Sequence, residues 1–110
     1  MKFTGIQKLN IFRIIQEAVN NALKHANASS INIIVRHDLH SHKMFFFISD
    51  DGQGIEASRI QQEKDNSSKE MSSHYGLEGM KYRADMLNAE LQISSSSEMG
   101  TKIKLIVPIE

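Results

Sequence analysis

Asp50-Asp51-Gly52-Gln53-Gly54-Ile55 places two carboxylates and two spaced glycines directly after the apolar run Met44-Phe45-Phe46-Phe47-Ile48. Glycine lets the backbone adopt positive φ and lets another group approach closely, because no Cβ intervenes. A carboxylate fixed at the end of a buried strand is an acceptor that can read an amino group in a pocket. A tight turn after a strand explains the same pattern about as well. A second set, Glu17, Asn20, Asn21 and Lys24, has helical spacing. Glu17 to Asn21 is i,i+4 and Asn21 to Lys24 is i,i+3, so these three side chains can address one object. The plain alternative is a solvated helix face. Two adjacent asparagines in mid-helix argue against it, since asparagine is a poor helix former that belongs at caps.

The elements that must position these groups follow from periodicity. Leu9, Ile11, Phe12, Ile14, Ile15, Ala18, Val19, Ala22, Leu23 and Ala26 recur at i, i+3, i+4, i+7 and predict an amphipathic helix over 7–26. Glu17, Asn20, Asn21 and Lys24 fall on its other half, and Asn27 is a candidate left-handed cap. Ile31, Ile33 and Val35 alternate as a strand, residues 38–42 read as a hairpin turn, and 44–48 as a returning strand buried on both faces. Residues 57–75 hold only Ile60, Met71 and Tyr75 as sizeable apolar groups. A loop this long without a clear pattern is a functional lid or disordered, and a short helical turn over 58–63 with mobility after it is expected. Leu77, Met80, Ala84, Leu87 and Leu91 mark a second helix that Asn88 caps. Strands over 91–95 and 101–107 close the chain around a turn at 96–100, and Pro108 ends the sheet. The order helix, hairpin, lid, helix, hairpin predicts an α+β fold, a two-layer α/β sandwich. Its sheet is expected to be mixed and mostly antiparallel, with the helices on one face.

The totals bound the function. The chain has 110 residues, enough for one small domain. Thirteen basic residues balance thirteen acidic ones, so there is no electrostatic case for nucleic acid or an anionic membrane surface. The absence of cysteine removes disulfide and thiolate chemistry. No apolar run approaches the roughly 18 residues of a membrane span, and Met1-Lys2-Phe3-Thr4-Gly5 does not open a signal peptide. A soluble domain is expected.

The motifs together resemble a known family. Gln16-Glu17-Ala18-Val19-Asn20-Asn21-Ala22-Leu23-Lys24-His25-Ala26 resembles the N box of the GHKL ATPases, and Asp50-Asp51-Gly52-Gln53-Gly54-Ile55 their first glycine box. His74-Tyr75-Gly76-Leu77-Glu78-Gly79-Met80-Lys81-Tyr82-Arg83-Ala84 resembles the second glycine box in the form seen in NarL/DesK-type sensor histidine kinases. Gly100-Thr101 resembles the final motif, and Val107-Pro108 is a typical ending. The resemblance covers almost the whole chain in order and spacing. Ser72-Ser73-His74-Tyr75 lacks a glycine that many histidine kinases carry, as the shorter NarL/DesK lid often does. Asn88-Ala89 stands where a glycine pair is common.

The resemblance implies a Bergerat-fold domain that binds ATP with Mg²⁺. In that family frame Asp50 accepts a hydrogen bond from the adenine amino group, Gly52, Gly54 and Ile55 line the base pocket, and Thr101 lies behind it. Asn21 holds Mg²⁺, with Glu17 reaching it through water, and Lys24 meets phosphate oxygens. Glu17, Asn21 and Lys24 are the implied catalytic set. His25 contacts ribose or phosphate, while Tyr75, Gly76, Leu77 and Met80 complete the nucleotide contacts. Magnesium prefers oxygen ligands and keeps waters, and phosphoryl transfer requires mainly positioning and charge neutralisation.

The implied function is delivery of the γ-phosphoryl group of ATP to a histidine on a separate dimerisation hairpin, and indirectly to a response-regulator receiver domain. The setting is cytoplasmic, in a kinase that can itself be membrane-anchored. The domain is not expected to phosphorylate itself, and a monomer is expected. Two other readings share the fold: an anti-sigma-factor-type serine kinase, and a nucleotide-gated interaction module without phosphotransfer. Arg36-His37-Asp38-Leu39-His40 superficially resembles a phosphoacceptor segment, but its predicted place is a hairpin and not a long helix.

Overall fold

The computed structural model describes residues 3–24, 27–52, 76–96 and 98–109. Helix α1 spans Gly5–Lys24. It starts two residues earlier than the apolar period predicts, because Thr4 and Gln7 form a capping box. The Thr4 N–H donates to Gln7 Oε1 at 2.8 Å, and the Gln7 N–H donates to Thr4 Oγ1 at 3.1 Å. Beyond the helix Asn27 is left-handed, with φ 53°, and the Ala28 N–H bonds the Ala22 carbonyl at 3.0 Å. Asparagine tolerates this conformation because its short side chain satisfies local backbone groups.

Strands β1 (Ile31–Asp38) and β2 (Lys43–Asp50) form an antiparallel hairpin that pairs Ile31 with Asp50 and Asp38 with Lys43. The decoy histidines His37 and His40 lie on β1 and in its turn, not on a helix. Strands β3 (Glu90–Ser96) and β4 (Gly100–Pro108) form the second hairpin, and β4 then pairs with β2. The order is β1-β2-β4-β3, and every pairing among the described strands is antiparallel.

Residues of one parity line one sheet face. Phe46 and Ile48 on β2 and Ile103, Leu105 and Val107 on β4 are buried there against Ile11, Ile14 and Ala18 of α1. Met80, Ala84 and Leu87 of the second-helix region complete that core. Burial of each large aliphatic group contributes about 1.5–3 kcal/mol. The helices therefore cover one face, as the pattern predicts. The other face differs from expectation at β2. Phe45 and Phe47 are only half-buried; they stack with centroids 6.1 Å apart under the Lys104 ammonium. An uninterrupted apolar strand here has one dry face and one face shielded by a lysine stem.

Helix α2 spans Leu77–Met86. Its end is a Schellman motif: the Ala89 N–H bonds the Ala84 carbonyl at 2.8 Å and the Asn88 N–H bonds that of Asp85 at 3.0 Å. Asn88, at φ 57°, does the work of the missing glycine pair. Leu91, counted with this helix in the sequence, belongs to β3. On α1 the buried stripe is narrower than its apolar count. Leu9, Phe12 and Leu23 expose half or more of their surface.

Candidate functional site

One part of the site is a row of polar side chains across the end of the sheet, on its helix-covered face. Asp50 ends β2 on the same face as Phe46 and Ile48. Its Oδ1 accepts the Gly52 N–H at 2.8 Å, a short turn of the kind that aspartate favours, and the Thr101 N–H at 3.4 Å. Both bonds use Oδ1, so Oδ2 has no donor among the described residues. Thr101 is buried, and its hydroxyl lies 3.0 Å from Ser95 Oγ on the neighbouring strand. Sequence reading missed Ser95. Its signal was the alternation Leu91, Ile93, Ser95, which puts it on the face of Thr101. Gly100 permits this row: it has φ 80°, and any Cβ there would collide with the Asp50 carbonyl.

The adjoining Asp51 has a structural task. Its carboxylate accepts the backbone N–H groups of Ser29 and Ser30 at 2.8 and 2.9 Å and the Ser29 hydroxyl at 3.0 Å. The donors at Ser30 and Ser29 hold its carboxyl below the usual carboxylate range. The segment between α1 and β1 is thereby tied to the base of the Asp50 turn.

The second part of the site lies along α1. Asn10, Arg13, Glu17, Asn21 and Lys24 fall within about 80° of arc at 100° per residue. This stripe flanks the buried one, and α2 packs beside it. Asn21 is consequently buried, at 6 % exposure, and Asn10 at 4 %. The expectation that Asn21 faces away from the apolar half is corrected: packing of α2 carries the dry region round to it. Glu17 is half-buried and Lys24 exposed. Glu17 lies against Gly76, the residue before α2. Gly76 has φ 68°, and among the described residues no side chain caps the N-terminus of this helix. Its first backbone N–H groups, which have no acceptor within the helix, lie beside Glu17.

Past Glu17 the two helices enclose a cavity of about 190 Å³, lined by Arg13, Gln16, Glu17, Gly76, Gly79, Met80 and Arg83. The Arg83 Nη1 donates to the buried Asn10 Oδ1 at 3.0 Å, and the Arg13 Nη1 to Gln16 Oε1 at 3.0 Å. Sequence reading did not single out Asn10, Arg13 or Arg83. The i,i+3 steps from Asn10 to Arg13 to Gln16 and the i,i+4 step from Arg13 to Glu17 were the available signal on α1, while Arg83, on the other helix, had no local spacing that pointed to the site.

The structure thus brings Asp50, Gly52 and Thr101 together at the sheet end, and Glu17 and Gly76 together at the helix pair. Leu77 opens α2 and Met80 sits in the core beneath it. His25, Gly54, Ile55, Tyr75 and the lid over 57–75 lie outside the described residues. Among the described residues no group of three or more His, Asp or Glu side chains stands together as a metal cage. The donors on α1 instead suit a cation that keeps waters and shares phosphate oxygens, as Mg²⁺ does. Oδ2 of Asp50 and the uncapped α2 N-terminus likewise suit a base amino group and phosphate oxygens.

The family model for histidine kinase-, DNA gyrase B- and HSP90-like ATPases matches residues 6–110. The chain belongs to this family. Among curated proteins, this ATPase domain is 34 % identical over 99 residues to the signal transduction histidine-protein kinase/phosphatase DegS of Bacillus subtilis. It is 32 % identical over 101 residues to the sensor histidine kinase YdfH of the same organism. The alignments cover 90 % and 92 % of the chain but 23 % of each relative, so the chain spans about a quarter of their length. Among solved structures, the histidine kinase domain of the Erythrobacter litoralis EL346 blue-light activated histidine kinase superposes with a TM-score of 0.63 at 20 % identity. That superposition covers 94 % of this chain and 48 % of the other, and establishes the likeness of fold. The sensor kinases found are the class that the second glycine box resembles, and a kinase-type ATPase domain is the consequence.

Proposed function

We propose that this domain binds Mg·ATP and supplies its γ-phosphoryl group to a histidine on a dimerisation hairpin elsewhere in a two-component sensor kinase. The observation that carries the proposal is the meeting of Glu17 with Gly76 at the uncapped N-terminus of α2. It puts a carboxylate, an amide side chain one turn away at Asn21 and backbone donors without an intrahelical acceptor at one place, within a family of ATPases. Asp50, at the sheet end, offers Oδ2 to the adenine amino group, while its Oδ1 is held by Gly52 and Thr101. Oriented in this way, the carboxylate discriminates bases by a charge-assisted hydrogen bond.

Asn21 holds the metal through its side-chain oxygen, Glu17 orders the metal's waters, and Lys24 reaches a phosphate oxygen from the helix end. Bound Mg²⁺ supplies charge neutralisation on the phosphates. The α2 N-terminus contributes backbone donors to the same anion. No protein nucleophile is required, and the acceptor imidazole comes from another part of the kinase.

Titration of the domain with ATP by calorimetry, with and without Mg²⁺, tests this reading. Magnesium-dependent binding is expected. Absence of binding at millimolar ATP, together with absence of binding by ADP, overturns the nucleotide assignment. The same reading proposes a cytoplasmic setting, with the receiver domain of a response regulator as the eventual phosphoryl acceptor. Among the described residues no helix is long and apolar enough to cross a membrane.

A further inference from the structure

Strand β1 is an edge of the sheet, and its outer side is bare. The order β1-β2-β4-β3 leaves β1 and β3 each with one described neighbour. Residues Asn32 to His37 of β1 are all exposed, and Ile33, Ile34 and Val35 each leave about half or more of their surface uncovered. Edge strands are ordinarily blunted by proline, lysine, a bulge or a short length, since their unpaired backbone groups invite another strand. None of these occurs in β1. It runs for eight residues, pairs with β2 in unbroken register from Ile31 to Asp38, and carries formal charge only at Arg36 and Asp38. On β3, by contrast, the exposed side chains are Glu90, Gln92 and Ser94, all polar.

The ladder fixes which backbone groups face outward. One step beyond the strand, the Asp51 N–H donates to the Ser30 carbonyl at 3.3 Å, so Ser30 and Asp51 form a hydrogen-bonded pair. Such pairs alternate along an antiparallel ladder, and the even-numbered residues of β1 therefore bond β2. The Ile109 N–H donating to the His42 carbonyl at 2.8 Å agrees, since it commits the even-numbered residues of β2 to β4. Ile31, Ile33, Val35 and His37 thus turn their N–H and C=O groups to the free edge. Ile34 projects from the face away from the helices, where it adjoins Phe47 of the stacked Phe45–Phe47 pair.

This pattern is self-complementary. Placed antiparallel about a two-fold axis through Ile34, two copies of β1 oppose Ile31 to His37 and Ile33 to Val35, twice each. The outward-facing residues of both copies are then all used, in four pairs of two bonds each. An axis through Ile33 or Val35 forms only three such pairs within the strand, and the second of these sets Arg36 diagonally across from Arg36. The Ile34 register instead sets Arg36 opposite Asn32 and Asp38 opposite Ser30, so that no like charges face each other. It also covers Ile33 with Val35 and Ile34 with Ile34, and continues the apolar strip from Phe47 of one copy to Phe47 of the other. The balance of thirteen basic and thirteen acidic residues adds no net repulsion between copies.

We infer that two copies of this domain pair through β1 in this register, making one continuous sheet from two four-stranded ones. A strand-to-strand contact is smaller than the roughly 800 Å² per partner of a standard interface, so the dimer is weak and forms at about 0.1–1 mM protein. The monomer expected from the sequence is its dilute limit. The pairing needs no nucleotide and stands apart from the transfer reading.

Sedimentation velocity of the full chain, from about 10 µM to about 1 mM, tests this. The parent should pass reversibly from monomer to dimer across the series. Val35→Pro removes an outward N–H and spares the ladder to β2, while Ile34→Lys sets two ammonium groups face to face. Each should weaken association at least about tenfold, with the circular dichroism of dilute protein unchanged. Ile34→Glu should weaken it likewise, and an equimolar mixture of the Ile34→Lys and Ile34→Glu chains should recover the association that each has lost alone. That recovery requires Ile34 to face Ile34 on the axis. Stronger association of Ile34→Glu alone would place Arg36 opposite it and overturn the register. A parent that stays monomeric at about 1 mM overturns the inference and leaves the edge to an extended segment of another protein. Association unaltered by all three variants overturns it by moving the contact to another surface.

Discussion

Glu17 and Gly76 meet so closely that a methyl group on the glycine would lie 2.5 Å from Oε2 and 2.9 Å from the carboxyl carbon. The contact joins the middle of α1 to the start of α2, and Gly76 holds it at φ 68°. Gly76→Ala therefore faces two penalties, about 1–2 kcal/mol for a left-handed alanine and the displacement of Glu17. Thermal unfolding should fall by several degrees, on the order of 4–8 °C per kcal/mol for a domain of this size. The double variant with Glu17→Ala should lose less than the sum of the two single losses. Strict additivity would mean that the carboxylate and the glycine are not coupled.

Asp50→Asn keeps an oxygen for the Gly52 and Thr101 N–H groups and removes the charge. Its fold should survive, with melting within about 1 kcal/mol of the parent. ATP affinity should fall about 10- to 100-fold, the size of a hydrogen bond to a charged acceptor. Calorimetric affinity equal to the parent's would remove Asp50 from the base pocket.

Asn21→Ala should weaken ATP binding only when Mg²⁺ is present. The side chain is buried, so a stability loss of about 1–2 kcal/mol accompanies it. An equal loss of affinity in the magnesium-free titration would assign Asn21 to the scaffold instead of the metal.

Low pH should release the tether at Asp51 before the core. Its carboxyl is held below the usual range by the donors at Ser30 and Ser29. A depressed folded pKa contributes stability that is present above the unfolded value near 3.9 and lost as pH falls through the folded value. Amide exchange at Ser29 and Ser30 should therefore accelerate below about pH 4, where these donors lose a charged acceptor. Asp51→Asn should show fast exchange already at neutral pH, and a flat pH response in the parent would contradict the assignment.

Gly100→Ala should be more damaging than the same change at Gly5, Gly76 or Gly79. A Cβ there meets the Asp50 backbone carbonyl, which cannot move without breaking β2 from β4. A loss above about 4 kcal/mol, or failure to accumulate as folded protein, is expected. A near-normal melt would show that the two strands separate freely at this end.

Much of this was legible in the residues. The hairpins, both helices and the single covered face follow from period 3.6 and period 2 patterns, since burial writes those periods into the chain. The grouping of Asp50 with Thr101 came instead from the family resemblance, and the Thr101 N–H does donate to Asp50 Oδ1. What escaped has a common cause. The burial of Asn21 and Asn10, the exposure of Leu9 and Phe12, and the Glu17–Gly76 contact all depend on where α2 lies across α1. A helix pattern fixes which residues share a face, but not which flank a distant helix will cover. The Thr4–Gln7 capping box and the alternation that reaches Ser95 were readable locally, yet short polar signals are easily outweighed by longer apolar ones.

The order β1-β2-β4-β3 places the last strand of the sequence between strands made before it. A ribosome that has synthesised the chain as far as Ser96 has made an edge hairpin and a lone strand with an unfilled gap between them. Neither α1 nor α2 can close its apolar stripe until β4 supplies Ile103, Leu105 and Val107. Completion is thus a single late event that joins the ends of the chain's hydrophobic pattern, with edge strands open to wrong partners until then. Loss of these final residues would leave no smaller version of the domain, only two fragments of a sheet.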